Sequence, residues 1–214
     1  MRVQLLPLLA LLALLPARAH AQSDTSPDDS VPHRRRTPPG LREVRDDFGG
    51  PRRRGFWLSA SLGVGGESFD ARDGLGWSDA QAGLFSSLKL GGTLNRNLLL
   101  GVEANGWAEG NYNNQGYDRS LFNLMGIAQW YPAARGNFWL KGGFGWAHSE
   151  LRQYIAPGLR YDTGDDGVAF SAGLGVDVPV NRRFAITPLL DLTGQHYDTH
   201  DERVLSFGVA LTFH

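Results

Sequence analysis

From Phe56 to Phe213 the chain repeats one pattern: large apolar side chains take every second position, and Gly, Ser, Thr or Asn fill the gaps. A period of two marks a β-strand with two unlike faces. The first stretch, FWLSASLGVG, sets Phe56, Leu58, Ala60, Leu62 and Val64 against Trp57, Ser59, Ser61, Gly63 and Gly65. The second, AGLFSSLKLGGTL, sets Leu84, Leu88, Leu90 and Leu94 against Gly83, Ser87, Lys89, Gly91 and Thr93. In the third, LLLGVEANGWAE, Leu98, Leu100, Val102 and Ala104 oppose Gly101, Glu103 and Asn105. The fourth, LFNLMGIAQWY, alternates least cleanly, because Met125 and Ile127 share the face of Asn123 and Gln129. The fifth, NFWLKGGFGWAHS, and the sixth, GVAFSAGLGVDVPV, place Lys141 and Asp177 on the small-residue face. The seventh, RFAITPLLDLTGQHY, places Asp191 there, and the eighth, RVLSFGVALTFH, carries Leu205, Phe207, Val209, Leu211 and Phe213 on its apolar face.

The connections alternate in length. Gly66 to Asp79, Gly110 to Asp118 and Leu151 to Asp166 read as longer loops, whereas NRN, PAARG and NRR are short. Eight strands in an antiparallel meander, with the short turns at one end, predict an all-β, eight-stranded up-and-down transmembrane β-barrel whose short turns face the periplasm. About ten residues at ~3.3 Å each, tilted by ~40°, cover the ~25 Å apolar band of such a barrel.

A soluble up-and-down barrel of the lipocalin kind has the same strand count with the faces inverted. The charges separate the two. The small-residue face suits a narrow filled lumen, and its charges fall into opposed pairs: a hairpin centred on Arg96 sets Lys89 opposite Glu103, and a loop closing near residue 158 sets Lys141 diagonal to Asp177. Buried charges are tolerated in pairs. We therefore expect Lys89, Glu103, Lys141, Asp177 and Asp191 to form a polar network inside the barrel, with the large apolar face toward lipid, where closure satisfies every backbone group. Ten aromatics near strand ends, among them Phe56, Trp57, Trp107, Trp130, Tyr131, Phe138 and Tyr197, are expected to supply an interfacial girdle.

Composition adds location. Residues 1–21 carry Arg2, an apolar run from Leu5 to Leu15 that is too short to span a membrane, and Ala19 and Ala21 in a small-x-small pattern; they predict a signal peptide cleaved after Ala21 on the Sec route. Residues 22–54 have no periodicity, are broken by proline and carry HRRRTPPG and GGPRRRG, so they predict a disordered periplasmic arm, and residues 55–214 the barrel. The chain has no cysteine, which excludes disulfides, thiolate metal sites and a cysteine nucleophile. A net charge of -1 argues against nucleic acid as a partner.

Over residues 55–214 the chain resembles small outer-membrane barrels of the OmpA and OmpX type. The resemblance rests on the strand pattern and on the final strand, LSFGVALTFH, with an aromatic at its end. It implies insertion in the outer membrane as a monomer, contact with outer-membrane lipids and lipopolysaccharide, and delivery by periplasmic chaperones to the barrel-assembly machinery, which reads the strand bearing Leu205, Phe207, Val209, Leu211 and Phe213. It also implies a structural or surface-contact role, membrane integrity or adhesion, rather than an enzyme. A narrow channel and a lipid A-modifying enzyme are the alternatives.

Two stretches carry candidate chemistry. QHYDTHDE holds His196, Asp198, His200 and Glu202 at the outer rim. An outer-membrane lipid A deacylase is similar in its His-Tyr-Ser stretch, but Asp198 stands where the nucleophilic serine belongs, and acyl transfer fails without it. The same side chains are of metal-ligand type, set against the reading as a hydrated loop edge. DTGDDG, Asp162 to Gly167, lacks calcium-loop spacing and a terminal Glu and reads as a turn-forming loop. No cofactor is expected.

Overall fold

The computed structural model describes Arg53 and residues 55–109, 117–156 and 159–214. The expected signal peptide and all of the expected arm except Arg53 lie outside the described residues. Eight strands follow in chain order: β1 (Phe56–Asp70), β2 (Gln81–Asn95), β3 (Leu98–Ala108), β4 (Tyr117–Trp130), β5 (Phe138–Ala156), β6 (Leu159–Val176), β7 (Phe184–His196) and β8 (Asp201–Phe213). A two-residue bridge, Val178–Pro179, prolongs the β6 stave against Ile186 and Ala185 of β7. Every strand pairs antiparallel with its neighbours in sequence. β1 then pairs with β8, from Leu58 opposite Phe213 to Asp70 opposite Asp201. That last ladder closes the sheet on itself and leaves no barrel edge.

Two of the three short turns are built by asparagine. Asn95 Oδ1 accepts from the backbone N–H groups of Asn97 and Leu98 at 2.8 and 2.9 Å. Asn181 Oδ1 does the same for Arg183 and Phe184. Each side chain thus replaces the backbone acceptor that a tight reversal would otherwise lack.

The faces are inverted relative to a soluble barrel. On β8, Leu205, Phe207, Val209 and Leu211 are half-exposed, while Val204, Ser206, Ala210 and Thr212 are buried. The outward apolar run covers Phe56 to Val64 on β1 and ends at Leu205 on β8, beyond which Arg203 faces out. An apolar surface of this extent, wrapped around the whole molecule, needs a non-aqueous solvent.

The interior is filled. Trp57, Phe85, Leu99, Met125, Ile127, Tyr131, Trp139 and Tyr197 form its apolar cluster. Met125 and Ile127 are therefore lumen side chains, which explains the broken alternation of β4. The lumen glycines make room for rings: a Cβ on Gly83 would lie 2.5 Å from the Trp107 ring, and one on Gly175 would lie 2.5 Å from the Trp139 ring.

Two expectations are corrected. Leu151 to Asp166 is not a long loop: β5 and β6 continue to Ala156 and Leu159, and DTGDDG is strand, with Asp165 paired to Ser149 and Asp162 to Arg152. Continued ladder pairing satisfies the backbone there better than a loop would. The aromatic girdle is thinner than expected. Phe56, Trp130, Phe138, Trp146 and Phe184 do face outward, but Trp57, Trp107, Tyr131 and Tyr197 are buried in the lumen.

Candidate functional site

The lumen carries its polar side chains at three levels. At mid-height, Lys89 lies directly opposite Glu103 in the β2–β3 ladder. Its ammonium is 3.9 Å from Glu103 and 3.8 Å from Asp191. Lys141 comes closer, 2.6 Å from Glu103 and in direct contact with Asp191. All four side chains are buried. Two cations and two carboxylates make a neutral square across β2, β3, β5 and β7. Asn105 donates to Glu103 at 3.4 Å, and Asn123 donates to Asn105 at 2.8 Å. Burial of this kind is tolerable because each charge has two partners of opposite sign.

Asp177 is not in that square. Lys141 pairs with Gly173 rather than lying diagonal to Asp177, because the β5–β6 ladder is centred one residue earlier than a closure at residue 158. Asp177 instead organises the inner mouth. It accepts from Tyr131 Oη at 2.8 Å, Trp139 Nε1 at 3.1 Å and Thr187 Oγ1 at 2.9 Å. His214 Nε2 lies 3.5 Å from the same carboxylate. Arg53, assigned by sequence to the arm, is buried here. Its guanidinium lies 3.4 Å over the Tyr131 ring, donates to the Gly136 carbonyl at 2.6 Å and stands 3.8 Å from Asp177. Phe213 packs beside this mouth, its ring 5.3 Å from that of Phe184.

At the outer rim the residue that sequence reasoning missed is Arg72. It sits in the β1–β2 loop at φ +55°. Its guanidinium donates to both oxygens of Asp201 at 2.9 and 2.6 Å, and to the carbonyls of Tyr197, Asp198 and His200 at 2.8, 3.2 and 3.1 Å. It also lies 2.8 Å from His196 Nδ1, which is 2.6 Å from Asp201. The Arg72 hydrogen bonds hold the Asp201 carboxyl down at about 2, with a smaller contribution from His196. One cation thus ties the first outer loop to the last.

The four candidate side chains of the outer rim do not converge. His196 and Asp198 are exposed, whereas His200 and Glu202 are buried with Nε2 and Oε1 3.3 Å apart. His200 stacks on Tyr197 at 4.5 Å. Residues 197–200 form the loop between β7 and β8, so strand parity does not align them. Among the described residues no three His, Cys, Asp or Glu side chains are grouped to hold a metal ion. Nothing in the loop sequences pairs Arg72 with residues more than a hundred positions away; only the closure of β1 on β8 does.

Comparison with known proteins rests on structure alone, since no family model and no curated protein matches the chain. The fold is similar to the crystal structure of Ail, the attachment invasion locus protein of Yersinia pestis, at a TM-score of 0.55 and 15% identity over 75% of this chain and 99% of that one. It is similar to Neisserial surface protein A at a TM-score of 0.51 and 12% identity, over 74% of this chain and 96% of that one. At these identities the likeness defines the fold: the chain is a closed, eight-stranded barrel of the outer-membrane kind.

Proposed function

We propose that the chain is exported by a signal peptide over residues 1–21 and inserted as a monomer in the outer membrane. There it serves a structural or surface-contact role, membrane integrity or adhesion, and not an enzymatic one. The observation that carries this reading is the inverted barrel: an unbroken outward apolar belt around a lumen filled with its own side chains. Lipids, with lipopolysaccharide in the outer leaflet, are the partners of the belt. The loops and the tall β5–β6 hairpin are the parts that reach solvent beyond it.

The test combines two measurements on cells expressing the full chain. Folded barrel should migrate faster than the boiled form on a gel. A maleimide probe that does not cross the outer membrane should label cysteine introduced at Leu75, an exposed position of the first outer loop, and should miss one introduced at Arg96 in a short turn. Labelling of Arg96→Cys but not Leu75→Cys would reverse the orientation. Recovery of the folded protein without detergent would remove it from the membrane.

The terminal strand, Leu205, Phe207, Val209, Leu211 and Phe213, is proposed as the address read by the assembly machinery. Phe213→Asp should lower the folded yield in the outer membrane while leaving refolding in detergent largely intact. Equal yields in cells would refute the address.

A further inference from the structure

The outer mouth holds a cavity of about 320 Å³ beneath the first loop, separate from the Arg72 latch. Glu67, Phe69, Gln81, Glu109, Arg119 and Leu151 line it. Glu67 sits at its floor, one residue past Gly66 and beyond the outward apolar run that ends at Val64. Its Oε1 accepts from Arg119 at 3.1 Å. Its Oε2 is buried and has no hydrogen-bond partner among the described residues. Buried carboxylate oxygens are seldom left without a donor, so this one marks a place where a donor fits. With both carboxyls ionised, Glu67, Glu109 and the Arg119 guanidinium leave one negative charge in excess.

The walls say what kind of donor. A divalent metal would need several hard oxygen ligands, yet no three acidic or imidazole groups are grouped for one among the described residues, and the Arg119 guanidinium stands beside Glu67. Phe69 already presents its ring to a cation, with Arg119 4.9 Å from the centroid. Phe69 and Leu151 offer apolar contact that a metal ion would not use. We propose that this vestibule binds a small aliphatic ammonium ion, its N–H groups donating to Glu67 and Glu109 and its carbon chain lying against Phe69 and Leu151. This goes beyond the structural role above and does not depend on it.

Burial pushes the Glu67 carboxyl up to about 7; Arg119 from β4 lowers it, and Glu202 from β8 and Glu109 from the end of β3 raise it. A raised carboxyl is protonated below that value and loses its attraction for a cation. The affinity should therefore fall as pH falls, by about tenfold between about pH 8 and about pH 6, a range over which an alkylammonium keeps its charge. The probe is n-butylammonium, titrated calorimetrically into the full-length protein folded in detergent, with n-butanol and Ca²⁺ as comparisons. Saturable binding of the amine is expected, weakened at least tenfold in Glu67→Gln with the pH dependence gone. Should that variant not fold, Glu109→Gln is expected to weaken binding while keeping the pH dependence, and the carboxyl carbon resonance of Glu67 in the wild type should shift with the amine. Four results would overturn the proposal: no saturable binding, butanol binding as well as the amine, affinity independent of pH, or displacement of the amine by equimolar Ca²⁺.

Discussion

At the scale of single residues, charge placement separates a mid-lumen square from a surface latch. Lys141 touches both carboxylates of the square, whereas Lys89 stands nearly 4 Å from each. Lys141→Met should therefore cost about 3–5 kcal/mol and destabilise the barrel more than Lys89→Met, because it leaves two buried carboxylates with only the more distant Lys89. In urea unfolding of the detergent-folded protein, the coupling between Lys141 and Glu103 should exceed that between Lys89 and Glu103. Equal couplings would contradict the geometry. The Arg72 latch makes a different demand. Asp201 is held at about 2 in the folded protein, below the ~3.9 of an unfolded aspartate. A depressed carboxyl contributes stability that is fully present above the unfolded value and is lost as pH falls through the folded one. Arg72→Ala should thus lower stability near neutral pH, and its difference from the wild type should close between about pH 4 and about pH 2. A difference that stays constant down to about pH 2 would show that the latch acts through its carbonyl contacts rather than through Asp201.

At the scale of elements, the two faces of a strand can be tested side by side. Leu174 of β6 is exposed on the apolar belt, and its neighbour Gly175 points at the Trp139 ring. Leu174→Arg should cost about 2–4 kcal/mol in a bilayer near its midplane and little in a detergent that lets the guanidinium reach water. Gly175→Arg should be harmful in both, since the lumen has no room for even a Cβ. A Leu174→Arg cost that is the same in bilayer and detergent would place that face away from lipid. The strands were legible in the sequence because period-two alternation survives wherever one side meets lipid and the other a packed lumen. It blurred at Met125 and Ile127 because a filled lumen accepts apolar side chains as readily as polar ones. The Lys89–Glu103 pairing was legible because a tight turn centred near Arg96 fixes the register. Asp177 lies away from Lys141 because the β5–β6 ladder is centred one residue earlier than a closure at residue 158, which moves every cross-strand partner by two positions. Arg53 and Arg72 were not legible at all: each finds its partners only after closure, in a socket or a loop built from distant strands.

At the scale of the whole molecule, the filling of the lumen decides whether the barrel can pass ions. Three obstacles lie in series along the lumen. Arg53 and His214 crowd Asp177 at the inner mouth, with Tyr131 and Trp139 donating to the same carboxylate. The four-charge square spans the middle. The pair of Glu67 and Arg119 lies above it. An eight-stranded barrel is just wide enough for its own side chains, so an ion would have to displace several of these groups together. Their positions differ in strength. Arg53 is held by one hydrogen bond, one ring face and one long ion pair, whereas each member of the square has two oppositely charged neighbours. Removal of the Arg53 side chain alone should open the mouth and leave the square shut. Wild type and Arg53→Ala should therefore both be silent in planar bilayers, and trypsin cleavage after position 52 should quicken in the variant as the segment leaves its socket. Steady single-channel currents in the wild type would refute the closed lumen. Currents in Arg53→Ala but not in the wild type would make the inner mouth, and not the square, the barrier.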